Sequence, residues 1–344
     1  MSSPSPDLRN PRLNLIFDTL STASEMARNI QVATTSEALQ KSDRSPVTVA
    51  DFSVQALLGR RLMEHYPDES LVAEESTQQL RDNSRVLHQI RAFLEPVIGD
   101  ATIENILHWI DHGGGDPAGG FWTLDPVDGT KGYLRGEQFA VALAWIVDGE
   151  VQMAGLGCPR LSPTEDEAGG MIYLAMRGQG CWCGQLGSNN FEACRVSDCR
   201  SLKEARILRS VEKAHINLDL FSRLLQRIGS EGTPIEMDSQ AKYAALASGW
   251  GEAVVRLQSR PDYREKIWDQ AAGSLIVEEA GGRVTDQLGR PLDFSQGKRL
   301  ERNRGVVATN GRLHDELIEG LLEKGAREPG SNRVKGSRGA RGRD

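Results

Sequence analysis

The stretch Trp122-Thr-Leu-Asp125-Pro-Val-Asp128-Gly-Thr130-Lys-Gly132 decides how the remaining chain is read. Phe121 to Leu124 are aromatic, β-branched or apolar, which predicts a strand. Two carboxylates then arrive around a proline, and the strand is expected to stop there. Pro126 fixes its own φ and removes a backbone donor, Gly129 permits a tight turn, and Thr130 adds a hydroxyl. Asp125, the Val127 carbonyl, Asp128 and the Thr130 hydroxyl make a compact set of oxygen donors. Hard divalent cations such as Mg²⁺ bind oxygen and leave room for water and substrate phosphate. Asp-Pro and Asp-Gly pairs also mark ordinary surface turns, so the rest of the chain has to choose between the two readings.

Other acids occupy similar places. Ser70-Leu-Val-Ala-Glu74-Glu75 is a short apolar strand running into paired carboxylates. The segment before Pro46 reads as loop, and Asp51 opens or borders a helix through Ala56, Leu57, Leu58, Leu62 and Met63. Asp269 stands near the start of a helix through Leu275, Ile276 and Val277 that Gly281-Gly282 ends. Helix capping accounts for Asp51 and Asp269 equally well, and is compatible with a metal role. Five acids, Asp51, Glu74, Asp125, Asp128 and Asp269, thus sit at element ends. No Ser/His/Asp order, Walker loop, dinucleotide glycine fingerprint or H-E-x-x-H pattern competes with them.

The chain of 344 residues is long enough for two domains with sizeable cores. Helical spacing marks residues 12–40 through Leu13, Ile16, Phe17, Leu20, Ala23, Ala27 and Ile30. Further helices are expected around 86–93, 103–110, 218–228 and 244–248. Strands at 140–147, 151–158 and a hairpin at 171–183 predict an antiparallel meander, with a domain boundary near residue 200. Residues 1–11 and 326–344 are expected to be disordered, leaving an N-terminal α+β domain over 12–200 and a C-terminal α/β domain over 201–325. From Arg327 onward the tail carries six basic and two acidic residues, so the rest of the chain holds −11 against −7 for the whole. Such an acidic body is not expected to bind nucleic acid, and the Gly/Arg tail reads as solvated rather than as an RNA-binding module. No apolar run reaches a membrane span and no secretory signal is evident, which predicts a cytoplasmic protein, monomeric or weakly oligomeric. Five cysteines, an odd number, suggest reduced thiols, with Cys181-Trp-Cys183 as ordinary strand residues. His108 and His112 lie four apart, with no other ligand signal beside them.

Four motifs, Pro46-Val-Thr-Val-Ala-Asp51, Val72-Ala-Glu74-Glu75, Asp125-Pro-Val-Asp128-Gly-Thr130 and Trp268-Asp269-Gln-Ala-Ala-Gly273, resemble the inositol monophosphatase-like, lithium-sensitive phosphatase superfamily. Longer runs narrow the resemblance. Gly129-Thr-Lys-Gly-Tyr-Leu-Arg-Gly-Glu-Gln-Phe-Ala-Val-Ala-Leu143, Val211-Glu-Lys-Ala-His215, Asp238-Ser-Gln-Ala-Lys-Tyr243 and Tyr263-Arg-Glu-Lys-Ile-Trp-Asp269 are similar to the 3′(2′),5′-bisphosphate nucleotidases. The likeness spans about residues 12–312.

The resemblance implies a five-layered α-β-α-β-α fold of the inositol monophosphatase and fructose-1,6-bisphosphatase type. An antiparallel sheet would form the first domain and a mixed sheet the second, with the site between them. It implies hydrolysis of adenosine 3′,5′-bisphosphate to AMP and phosphate, and of the 3′-phosphate of 3′-phosphoadenylyl sulfate. Glu74, Asp125, the Val127 carbonyl, Asp128 and Asp269 would hold two or three Mg²⁺ ions, which Mn²⁺ can replace, with Asp51 at a further metal or on the nucleophilic water. Glu74, Asp51 and Thr130 would be catalytic, Thr130 through a hydrogen bond toward Asp51. The amides of Gly129 and Thr130 would cradle phosphate, and Asp128 and Asp269 would also contact substrate. His215, Ser239, Lys242 and Arg256 would hold the base, sugar and 5′-phosphate. Gln270 departs from the pattern, since relatives often carry histidine there; the change touches a neighbour of a ligand, not a ligand. Two other readings remain open, an inositol polyphosphate 1-phosphatase and a non-catalytic sensor of the bisphosphate.

Overall fold

The computed structural model describes residues 5–38, 45–163, 169–211, 218–258, 260 and 262–322. The basic tail and His215 lie outside the described residues. Helix α1 (Pro11–Ala38) starts with proline in its first turn, and the Asn10 side chain accepts from the Arg12 and Leu13 amides. Order therefore begins ahead of residue 12, within the stretch for which disorder is expected. The periodic residues of α1 are all buried, from Leu13 to Ile30.

Helix α2 (Ser45–His65) corrects a second expectation. It begins at Ser45, with Pro46 in its first turn, so Asp51 lies inside the helix and does not cap it. Helices α3 (Ser84–Ile98) and α4 (Ile103–Asp111) pack on α2, and α1 and α2 cover one face of a seven-stranded sheet. That sheet contains β1 (Ser70–Ala73), β2 (Gly120–Asp128), β3 (Ala140–Val147), β4 (Glu150–Cys158), β5 (Met171–Met176), β6 (Gly180–Gln185) and β7 (Glu192–Ala193), in spatial order. From β2 onward the pairs are antiparallel, as the meander predicts. The edge strand β1 is the exception, running parallel to β2. Cys181 and Cys183 lie on β6, in the expected hairpin, and all five cysteines are free.

The opposite face of this sheet packs on α8 (Ala271–Glu279), which lies beside α7 (Ala241–Ala247). Beyond them a five-stranded mixed sheet runs in the order β11 (Arg283–Thr285), β12 (Val306–Thr309), β10 (Ala253–Arg256), β8 (Ile207–Arg209), β9 (Ile235–Glu236). Helices α6 (Leu218–Arg227) and α9 (His314–Leu322) close its outer face. The layers are thus α-β-α-β-α, with one apolar cluster beneath α1 and α2, one around α7 and α8, and one beneath α6 and α9. Alternation along the strands feeds both faces of the first sheet. On β4, Met153 faces the outer cluster, while Ala154, Leu156 and Cys158 face the inner one.

Gly155 and Gly157 let α1 lie close against β4. A Cβ at Gly155 would stand 2.4 Å from Leu20 Cδ1 and 2.6 Å from Ile16 Cγ2, and one at Gly157 would stand 1.9 Å from Ser24 Oγ. Gly155→Ala is expected to lower stability by about 1–3 kcal/mol through overpacking. The change will be read as a lower denaturant midpoint with an unaltered slope.

Candidate active site

Two groups of parallel strands end at one cleft. β1 and β2 pair with Ala73 opposite Leu124, so the next residues, Glu74 and Asp125, emerge side by side. β2 then continues past the proline, where the sequence predicts a stop, and reaches Asp128 through a bulge. Asp125 pairs with Ala142 and Asp128 with Ala140, so one extra residue is taken up at Pro126–Val127. A proline is tolerated there because a bulge leaves a backbone N–H unpaired anyway. Val127 turns its side chain into the outer core, and Asp125 and Asp128 both line the cleft. In the second sheet β10, β8 and β9 run parallel, and just beyond or at their carboxyl ends stand Arg256, Ser210 and the pair Asp238-Ser239. Carboxyl ends of parallel strands are where open α/β sheets place ligands.

The two halves meet along a tight seam. Gly129 has φ +88°, and a Cβ on it would lie 2.8 Å from Ser239 Cβ. Neither the backbone conformation nor the space admits a side chain. The Gln240 amide donates to Asp128 Oδ2, and Arg135 pairs with Asp238. Ser239 itself holds a left-handed φ of 65°, a conformation costing a non-glycine residue of order 1–3 kcal/mol. Lys242 on α7 braces this turn, its Nζ donating to the Met237 carbonyl at 3.1 Å and the Ser239 carbonyl at 2.7 Å. The helix begins three residues ahead of the predicted start, which puts Lys242 on its first turn. Two of the three ammonium protons are used, so one is left for the cleft.

The cleft encloses about 330 Å³, and among the expected site residues Glu74, Asp125, Val127, Asp128, Gly129 and Thr130 line it from the first half. Ser239, Lys242, Arg256 and Asp269 line it from the second. Asp51 does not line it. It is buried behind Glu74 and Glu75 and adds to the negative potential at Asp125. Thr130 is exposed, and no hydrogen bond from it to Asp51 is recorded, unlike the family expectation. Lys131, Ser210, Asp238 and Tyr263 also line the space. All four had a signal, because each lies within or beside the runs quoted above.

Burial governs the electrostatics, and neighbouring like charges reinforce it. Burial, then Glu75 and Glu74, push Asp51 well above the usual carboxylate range. Burial, then Glu74, Asp128, Asp269 and Asp51, do the same to Asp125. Glu74 reaches the open side of the cleft, yet partial burial, Glu75 and Asp128 push it up to about 7 against the pull of Lys266. Asp269 is pushed up to about 8 by burial, against the pull of Arg256. For Asp128 burial is opposed by Lys242, Arg256 and the Gln240 hydrogen bonds, and its shift is upward. Burial pulls Lys242 down to about 8.

No three His, Cys, Asp or Glu side chains among the described residues converge on one point at metal-bonding distance. The acids face a shared space without clasping it. The donor set nevertheless fits a hard divalent cation. Every candidate ligand is oxygen, and Asp125 Oδ1 is fully buried with no hydrogen-bond partner. His108 and His112 lie at the end of α4 and do not line the cleft; burial and the neighbouring His108 pull His112 down.

The profile of the inositol monophosphatase family matches residues 16–326. The chain is 39% identical over 306 residues to a 3′(2′),5′-bisphosphate nucleotidase of Oryza sativa, covering 82% of this chain and 85% of that one. It is 36% identical over 315 residues to a 3′(2′),5′-bisphosphate nucleotidase of Schizosaccharomyces pombe, covering 86% of this chain and 89% of that one. Among solved structures, the inositol monophosphatase II of Staphylococcus aureus superposes with TM-score 0.61 at 18% identity, over 92% of this chain and 93% of its own. An inositol monophosphatase of Anabaena gives TM-score 0.60 at 19% identity, over 92% and 97%. At those identities the structural likeness speaks for the fold.

The raised carboxylates predict how stability follows pH. Glu74, Asp125, Asp128 and Asp269 hold protons in the folded chain that the unfolded chain has released, so metal-free stability falls as pH rises from the unfolded carboxylate range toward about 8. Mg²⁺ competes with those protons and is expected to bind more tightly at pH 8.5 than at pH 6. Thermal unfolding with EDTA will show a lower midpoint at the higher pH, and added Mg²⁺ will raise it by more there than at the lower pH.

Proposed function

The chain belongs to the inositol monophosphatase family, and we propose that it is a 3′(2′),5′-bisphosphate nucleotidase that takes adenosine 3′,5′-bisphosphate to AMP and phosphate. One observation carries the choice of substrate. Acids led by the buried Asp125 and a Lys/Arg pair, Lys242 buried and Arg256 part-buried, line one cleft, so one phosphate can be hydrolysed while a second is held. The sulfate-bearing relative, 3′-phosphoadenylyl sulfate, presents the same two ends.

The family is metal-dependent, and Glu74, Asp125, Asp128, Asp269 and the Val127 carbonyl would hold Mg²⁺, with Asp51 supporting them from behind. A hard cation bound there polarises the phosphate and lowers the pKa of water. The rest falls to the protein. The first amides of α5 (Thr130–Leu134) are not used by the helix's own hydrogen bonds, and with Gly129 they offer donors to phosphate oxygens. The exposed Thr130 hydroxyl stands at the same edge, where it can order the attacking water. Lys242 and Arg256 complement the phosphate that is kept, Lys242 with its remaining proton and Arg256 with a planar fork. An anion beside Lys242 restores the full charge that burial weakens. Tyr263, half-buried beside Arg256, offers a ring face to the nucleoside. His215 is proposed on family resemblance alone.

Phosphate release from adenosine 3′,5′-bisphosphate with Mg²⁺ tests this reading, beside EDTA and inositol 1,4-bisphosphate as controls. AMP is expected as product, with EDTA abolishing turnover and the inositol substrate a poor one. Asp128→Asn is expected to lower kcat by about 100-fold or more. Faster turnover of the inositol substrate would overturn the nucleotide assignment and keep the family. Tight nucleotide binding without turnover of either would make the protein a sensor.

A further inference from the structure

Glu265 does not line the cleft, yet it is 4% exposed and makes a chain of contacts that ends there. Its Oε2 stands 2.9 Å from Arg256 Nε and accepts a hydrogen bond from Gln270 Nε2 at 3.1 Å. Gln270, itself buried, accepts the Tyr243 hydroxyl through Oε1. The relay crosses four elements. Tyr243 is on α7, Gln270 caps α8, Glu265 is on the segment before it, and Arg256 ends β10. The backbone of that segment is fixed too, since Leu300 N donates to the Glu265 carbonyl at 2.9 Å and Ile267 N to the Lys298 carbonyl at 3.3 Å.

A buried guanidinium needs a partner, and Arg256 has two carboxylates within reach. Asp269 is 3.8 Å from its Nη2, and Glu265 is the closer of the two. Asp269 also serves the acid cluster, so its charge is shared with whatever cation the cluster holds. Glu265 has no such second task. Its two recorded side-chain partners are Arg256 and Gln270, and the Gln270 amide is locked in turn by Tyr243, so the carboxylate has little freedom to turn. Gln270 suits this place because one side chain accepts from Tyr243 and donates to Glu265 without titrating.

We infer that Glu265, held by Gln270 and Tyr243, is a positioning residue that aims Arg256 at the phosphate that is not hydrolysed, and so sets the preference for a nucleotide bisphosphate over a monophosphate. The inference rests on the reading of Arg256 given above. It bears on affinity for the distal phosphate more than on the chemistry, because the relay holds Arg256 through its Nε and meets the acid cluster only where Arg256 adjoins Asp269 at 3.8 Å.

The test compares adenosine 3′,5′-bisphosphate with adenosine 3′-monophosphate, which lacks the distal phosphate, in full-length wild type, Glu265→Gln, Arg256→Ala and the double variant. Glu265→Gln is expected to raise KM for the bisphosphate by about tenfold or more, to change kcat by no more than about twofold, and to narrow the bisphosphate preference. The double variant is expected to match Arg256→Ala, because the two residues act through one contact. Equal losses on both substrates, an additive double variant, or an unaltered KM would overturn the positioning role. A wild type without preference for the bisphosphate would instead refute the reading of Arg256 as the distal-phosphate ligand. Should Glu265→Gln fail to fold, Tyr243→Phe keeps the ion pair and loosens only the relay; a smaller rise in the same KM supports the inference, and no change overturns it.

Discussion

The parallel pairing of β1 with β2 is the constraint on which the site depends. Placing Ala73 opposite Leu124 sets Glu74 and Asp125 side by side at the end of β1. The bulge in β2 then brings Asp128 round to the same space, and α2 holds Asp51 behind it. Four acids in one buried region repel one another, and no arrangement of the strands relieves this while the register stands. The protein accepts protons there or takes a cation, and the orphaned Oδ1 of Asp125 favours the cation. Structure and chemistry are thus set by the same register.

The second sheet supplies what the first lacks. Its three parallel ends bring Arg256, Ser210 and the pair Asp238-Ser239, so cation and hydroxyl join the carboxylates in the cleft. The seam between them is built from backbone as much as side chain. Gly129 against Ser239 and the Gln240 amide on Asp128 fix the distance between the walls. The strained φ of Ser239 is maintained by the Lys242 ammonium across its own carbonyl, so one lysine both stabilises the turn and presents charge to the cleft.

Much of this was legible in the residues. The amphipathic spacing of α1, the alternation in the meander and the apolar strands ending in acids each carry their own local signal, while the cation follows from the acids only together with the family motifs around them. The sequence is less informative where tertiary contacts decide. Asp51 reads as a helix border because the segment before Pro46 reads as loop, whereas proline is welcome in a first helical turn. β2 outruns Pro126 because a bulge, invisible in one strand's sequence, needs the neighbouring strand to define it. β1 gives no sign of being parallel, since Leu71, Val72 and Ala73 fit either direction. β12 and α9 are short, and their apolar residues gain meaning only against β10 and α6. Glu265 and Gln270 are hardest to foresee, since their role lies in contacts among four separate elements.

The seam also has a consequence for synthesis. Asp128 and the amide that fixes it are 112 residues apart, and Asp269 follows later still. A chain emerging N-terminus first completes Asp51, Glu74, Asp125 and Asp128 well before Lys242, Arg256 and Asp269 have been made. In that interval the acids stand unbalanced at the end of an unfinished sheet whose inner apolar face still waits for α8. The newborn first half therefore gathers like charge beside uncovered apolar surface, the kind of intermediate that is prone to aggregate until the last hundred residues arrive.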